Sequence, residues 1–351
     1  MNKKMLLISN LYPNEDHPEY GTFVKEFVTG LGELNWHISK IVLNKKNGKI
    51  HKIVSYISFL FRSWLSLNTN KDDITYIHYA SHSTIPLVVS RKQKFLVINV
   101  HGSDILPNHS SQKYFSFFTK YALLHADLIV VPSEYFKKVV LEKYNVADDI
   151  IFISPSGGVD TYFYQDRVHT PIKNQMVMGY VGRIESVKGW RTFLSAINNS
   201  EIDNTHYLIF GSGSEEENLI CEIKKMGNPN IEYMGPIRHN DLPNIYQSLD
   251  WLIFPSESES LGLVGIESMA TGTPLIASNI GGIRTYAEHK KNSLLFESGN
   301  STQLADCILS VKNMKLVEWQ HYSNQAFITA KKYEKKAVMK QLNAKLLSFI
   351  K

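Results

Sequence analysis

Short apolar runs alternate along the chain with longer stretches in which apolar residues recur every three or four positions. The runs at 4–9, 38–43, 74–79, 95–100, 128–131 and 150–154 predict strands, because each is strand-length and bounded by turn-forming residues. Between them the helical spacing predicts helices over 21–34, 53–67, 114–124 and 133–144. In the first of these Phe23, Phe27, Leu31 and Leu34 fall on one side. Ser133 is placed to cap the last. A polar stretch at 165–175 precedes a second series. Strands are predicted there at 176–181, 206–210, 231–234, 251–254 and 274–277. Helices are predicted at 190–197, 215–225, 241–249, 261–270 and near 304–311, with a helical, lysine-rich tail over 319–351. Strands alternating with helices predict parallel sheets. The expected architecture is α/β, with two domains of similar size and a cleft between them.

Bulk properties fit that picture. A chain of 351 residues exceeds the usual single domain, and 43% hydrophobic content supplies two cores. Cys221 and Cys307 are far apart and have neither disulfide nor metal spacing, which points to a reducing, cytoplasmic setting. The apolar run near the start, 5–8, is too short for a signal peptide and reads as a first strand. No stretch is long and uncharged enough to span a membrane.

The net charge of +5 is unevenly placed. From Leu34 to Lys71 there is no Asp or Glu, yet Lys40, Lys45, Lys46, Lys49, Lys52, Arg62 and Lys71 all fall there. Such a segment attracts an acidic partner. No recognition module for nucleic acid accompanies it, so nucleic acid is not the expected one. The same segment runs into the apolar stretch 53–67. Two readings stand there side by side: docking on an anionic membrane surface through Lys45–Leu67, or a buried crossover helix beside a basic loop.

The densest candidate chemistry lies in 254–277, FPSESESLGLVGIESMATGTPLIA. A strand ends at Pro255 and Ser256, a polar loop carries Glu257 and Glu259, and a short helix follows. A helix N-terminus at the carboxyl end of a parallel strand binds phosphate, because unpaired N–H groups and the helix dipole point there. Glu259 and Glu267 flank that terminus, and Gly262, Gly265 and Gly272 surround them. Carboxylates accept hydrogen bonds from hydroxyls. A diphosphate between hydroxyl-bearing rings, as in a nucleotide sugar, suits this combination.

Other strand ends add to it. Arg183 and Lys188, each beside a glycine, are cations suited to a diphosphate; equally, they could be surface residues near a turn. His101, followed by Gly102, Ser103 and Asp104, stands where a ligand can approach the backbone closely. Gly21 opens the first helix after a long polar loop, either as an anion-binding terminus or as a plain helix start. Gly211-Ser212-Gly213 lacks the third glycine and the acidic residue of a dinucleotide site and reads as a tight turn.

Taken in order, these elements resemble the family 4 glycosyltransferases of the GT-B fold across nearly the whole chain. The resemblance rests on Glu259 and Glu267 within PSESESLGLVGIESMATGTPLIAS, on GYVGRIESVKG, and on FGSGSEEENL, MGPIRHNDLPNIYQSLD, NVHGSD, GTFVKEF and SPSGGVD. It implies two Rossmann-like domains facing across a cleft. Residues 1–164 would take the acceptor, 165–175 would link, and 176–330 would take the nucleotide sugar. A final helix within 331–351 would cross back to the first domain. It further implies a retaining transferase that needs no metal or other cofactor. Arg183 and Lys188 would clamp the donor diphosphate, with Gly21 in contact. Gly262 and the N–H groups of Leu263 and Val264 would meet the phosphates. Glu267 would hold the ribose, Glu259 the sugar hydroxyls, and Ile237 and Arg238 the base. His101 would approach the transferred sugar. The donor would be a UDP- or GDP-sugar. The acceptor would be a glycan or lipid-linked glycan, as in bacterial surface polysaccharide synthesis.

The chain departs from the family's pattern in places. Ser260 and Leu261 stand where relatives often carry Gly and Phe. Arg284 and Thr285 stand where Pro and Glu are common, and Ser293 replaces a usual Gly after Asn292. Competing readings are a nucleotide-sugar epimerase of the same fold, a partner subunit with a degenerate site, and a nicotinamide oxidoreductase. The paired glutamates oppose the first, the intact Arg183, Lys188, Glu259 and Glu267 the second, and the incomplete glycine pattern the third.

Overall fold

The computed structural model describes residues 3–17, 20–106, 114–164, 175–198 and 205–350. The chain forms two compact units, one from residues 1–158 with 337–351 and the other from 159–336. Each has its own six-stranded sheet.

In the first unit the strands are β1 (Lys3–Tyr12), β2 (Trp36–Asn44), β3 (Ile74–His78), β4 (Leu96–Asn99), β5 (Leu128–Val131) and β6 (Ile151–Ile153). They pair in parallel in the order β2-β1-β3-β4-β5-β6. The connecting helices are α1 (Thr22–Glu33), α2 (Lys49–Thr69), α3 (Ser116–Leu124) and α4 (Glu134–Tyr144). Alternation along β1 sends Met5 and Leu7 to one face with Val24, Phe27 and Leu31 of α1. Leu6 and Ile8 go to the other, with Phe59 and Leu67 of α2. Ser133 caps α4 as expected, its Oγ accepting from the Phe136 N–H at 3.1 Å.

In the second unit the strands are β7 (Met176–Val181), β8 (Thr205–Phe210), β9 (Ile231–Gly235), β10 (Trp251–Phe254), β11 (Leu275–Ser278) and β12 (Ser293–Phe296). They are parallel in the order β12-β11-β10-β7-β8-β9. The helices are α5 (Trp190–Asn198), α6 (Glu216–Met226), α7 (Leu242–Ser248), α8 (Leu263–Ala270), α9 (Ser301–Lys312) and α10 (Leu316–Ala330). Met178, Tyr180, Trp251 and Ile253 fill one face of the sheet, and Val181, Leu252 and Phe254 the other.

Three features differ from the expectation. β12 is four residues long and begins with a serine, too short for its alternation to register in the sequence. The tail is two helices, because Val159 takes the backbone hydrogen bonds of Tyr333 and Lys335 and breaks the helix there. The second of them, α11 (Lys335–Leu347), places Met339, Leu342 and Leu346 in the core of the first unit. Val159 and Phe163 lie in the core of the second unit, so the units divide before the polar stretch expected to link them. Of that stretch, residues 165–174 lie outside the described residues. Among the described residues no helix is long and apolar enough to cross a membrane.

Candidate active site

In an open parallel sheet the ligand crevice opens where the strand order reverses, outside the carboxyl ends of the strands. In the second unit that point lies between β7 and β10, which pair at Trp251–Met178 and Leu252–Gly179. The loop after β7 carries Arg183 and Lys188; the loop after β10 carries Glu257 and Glu259.

The two loops are bound together. The Glu257 N–H donates to the Val187 carbonyl at 2.9 Å. Gly189, with φ of 71°, lies against Pro255, and a Cβ there would overlap the Pro255 carbonyl. Only glycine meets both demands, left-handed backbone and close approach. The turn therefore delivers Lys188 to Glu259: Nζ donates to Oε1 at 2.6 Å, with 19% and 13% of the side chains exposed.

Helix α8 starts beside this pair. Its N-cap, Gly262, has φ of 87° and offers no side-chain cap. The Leu263 and Val264 amides, in the first turn, have no acceptor within the helix. Tyr286 holds the turn, its hydroxyl donating to the Gly262 carbonyl at 2.9 Å. The same hydroxyl occupies the space a Cβ on Gly265 would need. Burial, and then the charge of Glu259, keep that phenol protonated by raising its pKa well above the usual value. Glu267 follows on the same helix, 8% exposed, accepting from the Tyr246 hydroxyl at 3.2 Å. Tyr246 is likewise kept a donor by burial, with Glu267 contributing.

The remaining expected donor residues are less fixed. Arg183 is exposed and pairs with Glu185, Nη1 to Oε1 at 2.8 Å. Arg238 is exposed and pairs with Asp241 at 2.8 Å, while Ile237 packs against the core. Gly211-Ser212-Gly213 lies in the connection from β8 to α6, where the Ser212 carbonyl accepts from the Ile184 N–H at 2.9 Å.

In the first unit the order reverses between β1 and β3. Gly21, φ 76°, follows β1 and opens α1 with its backbone against Leu11 and Tyr12. His101 follows β4, and its ring lies 4.4 Å, centroid to centroid, from Phe23 of α1. Two residues given no role from sequence hold it. Asp104, buried, accepts from the N–H groups of His101 (3.1 Å), Gly102 (2.8 Å) and Ala80 (3.0 Å). His78, at the end of β3, lies with its Nδ1 2.9 Å from His101 Nε2. His78 Nε2 is buried and has no hydrogen-bond partner among the described residues. The tautomer that avoids an unpaired buried N–H is assigned on that ground: His78 donates from Nδ1, and His101 carries its proton on Nδ1. An Asp three residues after a strand-end His was the available signal for the first. The second is visible only once β3 and β4 are adjacent.

Burial lowers the pKa of His101 to about 3 and that of His78 well below the ordinary histidine value. Both rings stay neutral at physiological pH. Below pH 6.5 the unfolded chain binds protons that the folded chain refuses, so stability is lost as pH falls from 6.5 toward the folded values. The urea midpoint should drop between pH 7 and pH 4.5, and His101→Asn should make that drop smaller. An unchanged drop in the variant would refute the buried neutral pair.

Comparison with known proteins bears on the family and the fold. The family model described as glycosyl transferases group 1 matches residues 164–330, and that described as glycosyltransferase family 4 matches 26–162. An uncharacterized glycosyltransferase of Methanocaldococcus jannaschii is 24% identical over 329 residues, covering 88% of this chain and 90% of its own. Sucrose-phosphate synthase from Thermosynechococcus elongatus superposes with a TM-score of 0.82 at 15% identity, over 99% of both chains. The Anabaena protein HepE, solved in complex with UDP, superposes at 0.77 with 16% identity over 99% of this chain and 100% of its own. The fold they share with this chain is GT-B.

Proposed function

Because the chain belongs to the group 1, family 4 glycosyltransferases, we propose that it moves a sugar, with retention, from a UDP- or GDP-sugar to a hydroxyl of a glycan or lipid-linked glycan. It does so without a catalytic metal, in the cytoplasm at the membrane face, in bacterial surface polysaccharide synthesis. The observation that carries the reading is the Lys188–Glu259 pair at the strand-order reversal, beside the uncapped first turn of α8. The pair is a placeholder. An arriving diphosphate takes Lys188 as its counter-ion and meets the Leu263 and Val264 amides. Glu259, released, accepts hydrogen bonds from sugar hydroxyls, and Glu267 accepts from the ribose. Arg183 adds charge from the outer side, Gly21 brings an amide terminus to the diphosphate, and Ile237 with Arg238 flanks the base. His101, neutral, donates to the transferred sugar. The bond from the anomeric carbon to the diphosphate oxygen breaks as the acceptor oxygen bonds to the same face. The acceptor's proton passes to a diphosphate oxygen. Charge growing on the leaving group is what Lys188 and the α8 terminus stabilise. The UDP complex of the Anabaena neighbour supports the uridine donor.

A thermal-shift panel of UDP, GDP, their sugars and NAD tests this. A nucleoside diphosphate at about a hundred times its Kd should stabilise the protein by about 2.7 kcal/mol. NAD should do nothing. A shift with NAD alone would sink the proposal. NMR of the product's anomeric proton then reads retention, and chelator reads metal independence.

A further inference from the structure

Helix α2 has two apolar sides. Phe59, Ser63 and Leu67 face the core of the first unit. On the opposite side Ile50, Ile53, Val54, Ile57 and Phe61 are each at least 60% exposed. Their spacing of three and four puts them in one stripe, continued by Trp64. The core-facing side is that of a buried crossover helix, while the opposite side is left exposed. An exposed apolar stripe of this length marks a docking surface.

Beside the first turns of that helix is a cavity of about 230 Å³ at the carboxyl end of β2. Lys45, Lys46, Lys52, Tyr20 and Tyr56 line it, and among the described residues no carboxylate does. Among the described residues none of the three lysines pairs with an acid. The walls are anchored: Asn14 Nδ2 donates to the Lys45 carbonyl at 3.2 Å, and Asn44 Nδ2 to the Pro13 carbonyl at 2.9 Å. Lys45 Nζ stands 6.0 Å from the Tyr20 ring centroid. Burial pushes the Tyr20 phenol up to about 12, so its hydroxyl stays protonated at neutral pH. α2 itself begins with Gly48, without a side-chain cap and without an acid in its first turn.

We propose that this cavity binds the phosphate of an anionic membrane lipid while the exposed stripe of α2 lies in the bilayer surface. Charge complementarity selects the occupant: a cavity with three ammonium groups and no acid among the described residues, opening beside a continuous apolar stripe, matches a phosphate joined to acyl chains. A soluble phosphate ester would use the cavity and leave the stripe bare; a protein partner or a second copy would use the stripe and leave the lysines unpaired. The inference rests on the reading of a membrane-borne acceptor and gives that reading its contact point.

Flotation of the full chain with vesicles tests it. Binding is expected with phosphatidylcholine vesicles containing phosphatidic acid, at low salt, and not with phosphatidylcholine alone. Lys45→Gln, Lys46→Gln and Lys52→Gln together should weaken that binding about a hundredfold, at roughly fivefold per lysine. Ile53→Ser with Ile57→Ser should abolish it. Neither variant should alter the thermal shift with the donor nucleotide, which shows the fold intact and separates this proposal from the donor assignment. Equal vesicle binding by the lysine variant and the parent would overturn the proposal. So would release by inorganic phosphate as effective as by phosphatidic acid, or a dimer in sedimentation that Ile53→Ser with Ile57→Ser dissolves.

Discussion

Lys188→Ala should lower kcat/KM for transfer by about a hundred- to a thousandfold, the loss typical when one stabiliser of a growing anion is removed. Nζ is the cation held at the strand-order reversal, bonded to Glu259 and with 19% of the side chain exposed. Its removal also leaves the Glu259 carboxylate, 13% exposed, without its counter-ion. Breaking a pair from one side costs more than removing both partners. The single variant should therefore be less stable than Lys188→Ala with Glu259→Ala, while both remain impaired in transfer. Urea denaturation and steady-state kinetics on the set would show it, with a coupling of about 0.5–3 kcal/mol between the two sites. Arg183→Ala should do less, because Arg183 is exposed and already partnered by Glu185. If Lys188→Ala kept full activity, the diphosphate would have to sit elsewhere.

The second large effect is on stability. Asp104→Ala should destabilise the first unit by about 3 kcal/mol, since buried donors left unpaired cost about 1–3 kcal/mol and backbone adjustment recovers part of the sum. Its carboxylate accepts from three backbone N–H groups, two of them in the turn that carries His101. Burial raises its pKa and those N–H groups oppose the rise. Asp104→Asn keeps one acceptor oxygen and should lose less. Because the turn also sets the direction of the His101 ring, Asp104→Ala should lower activity beyond its loss of folded fraction. Activity measured per folded molecule, at a temperature where the variant is fully folded, separates the two. A variant as stable as the parent would remove Asp104 from the role of anchor.

Arg183, Lys188, Glu259 and Glu267 could be singled out from sequence because each sits near a glycine at a predicted strand end, whereas Ile237 and Arg238 entered only with the family resemblance. Gly189, Gly262 and Gly21 mark left-handed turns where strands end, and a glycine's freedom is written in its own covalent structure. Glu259 and Glu267 lie on either side of one such turn. Their partners carry no comparable mark. Tyr286 and Tyr246 have no role assigned from sequence, yet their hydroxyls hold the α8 terminus and Glu267. His78 reads as the polar end of a strand and proves to be the partner of His101.

By itself the sequence determined the alternation of strands and helices, the turns that end them and the residue types gathered at those turns. These depend on backbone geometry over a few neighbouring residues, so a window of sequence contains their cause. Only the tertiary structure decided that Lys188 neutralises Glu259, 71 positions away, that Asp104 clamps the His101 turn, and that α2 is apolar on a side the core does not cover. Those outcomes depend on which strands become neighbours. Strand order is fixed by long-range packing of two cores, a global balance that local pattern does not contain.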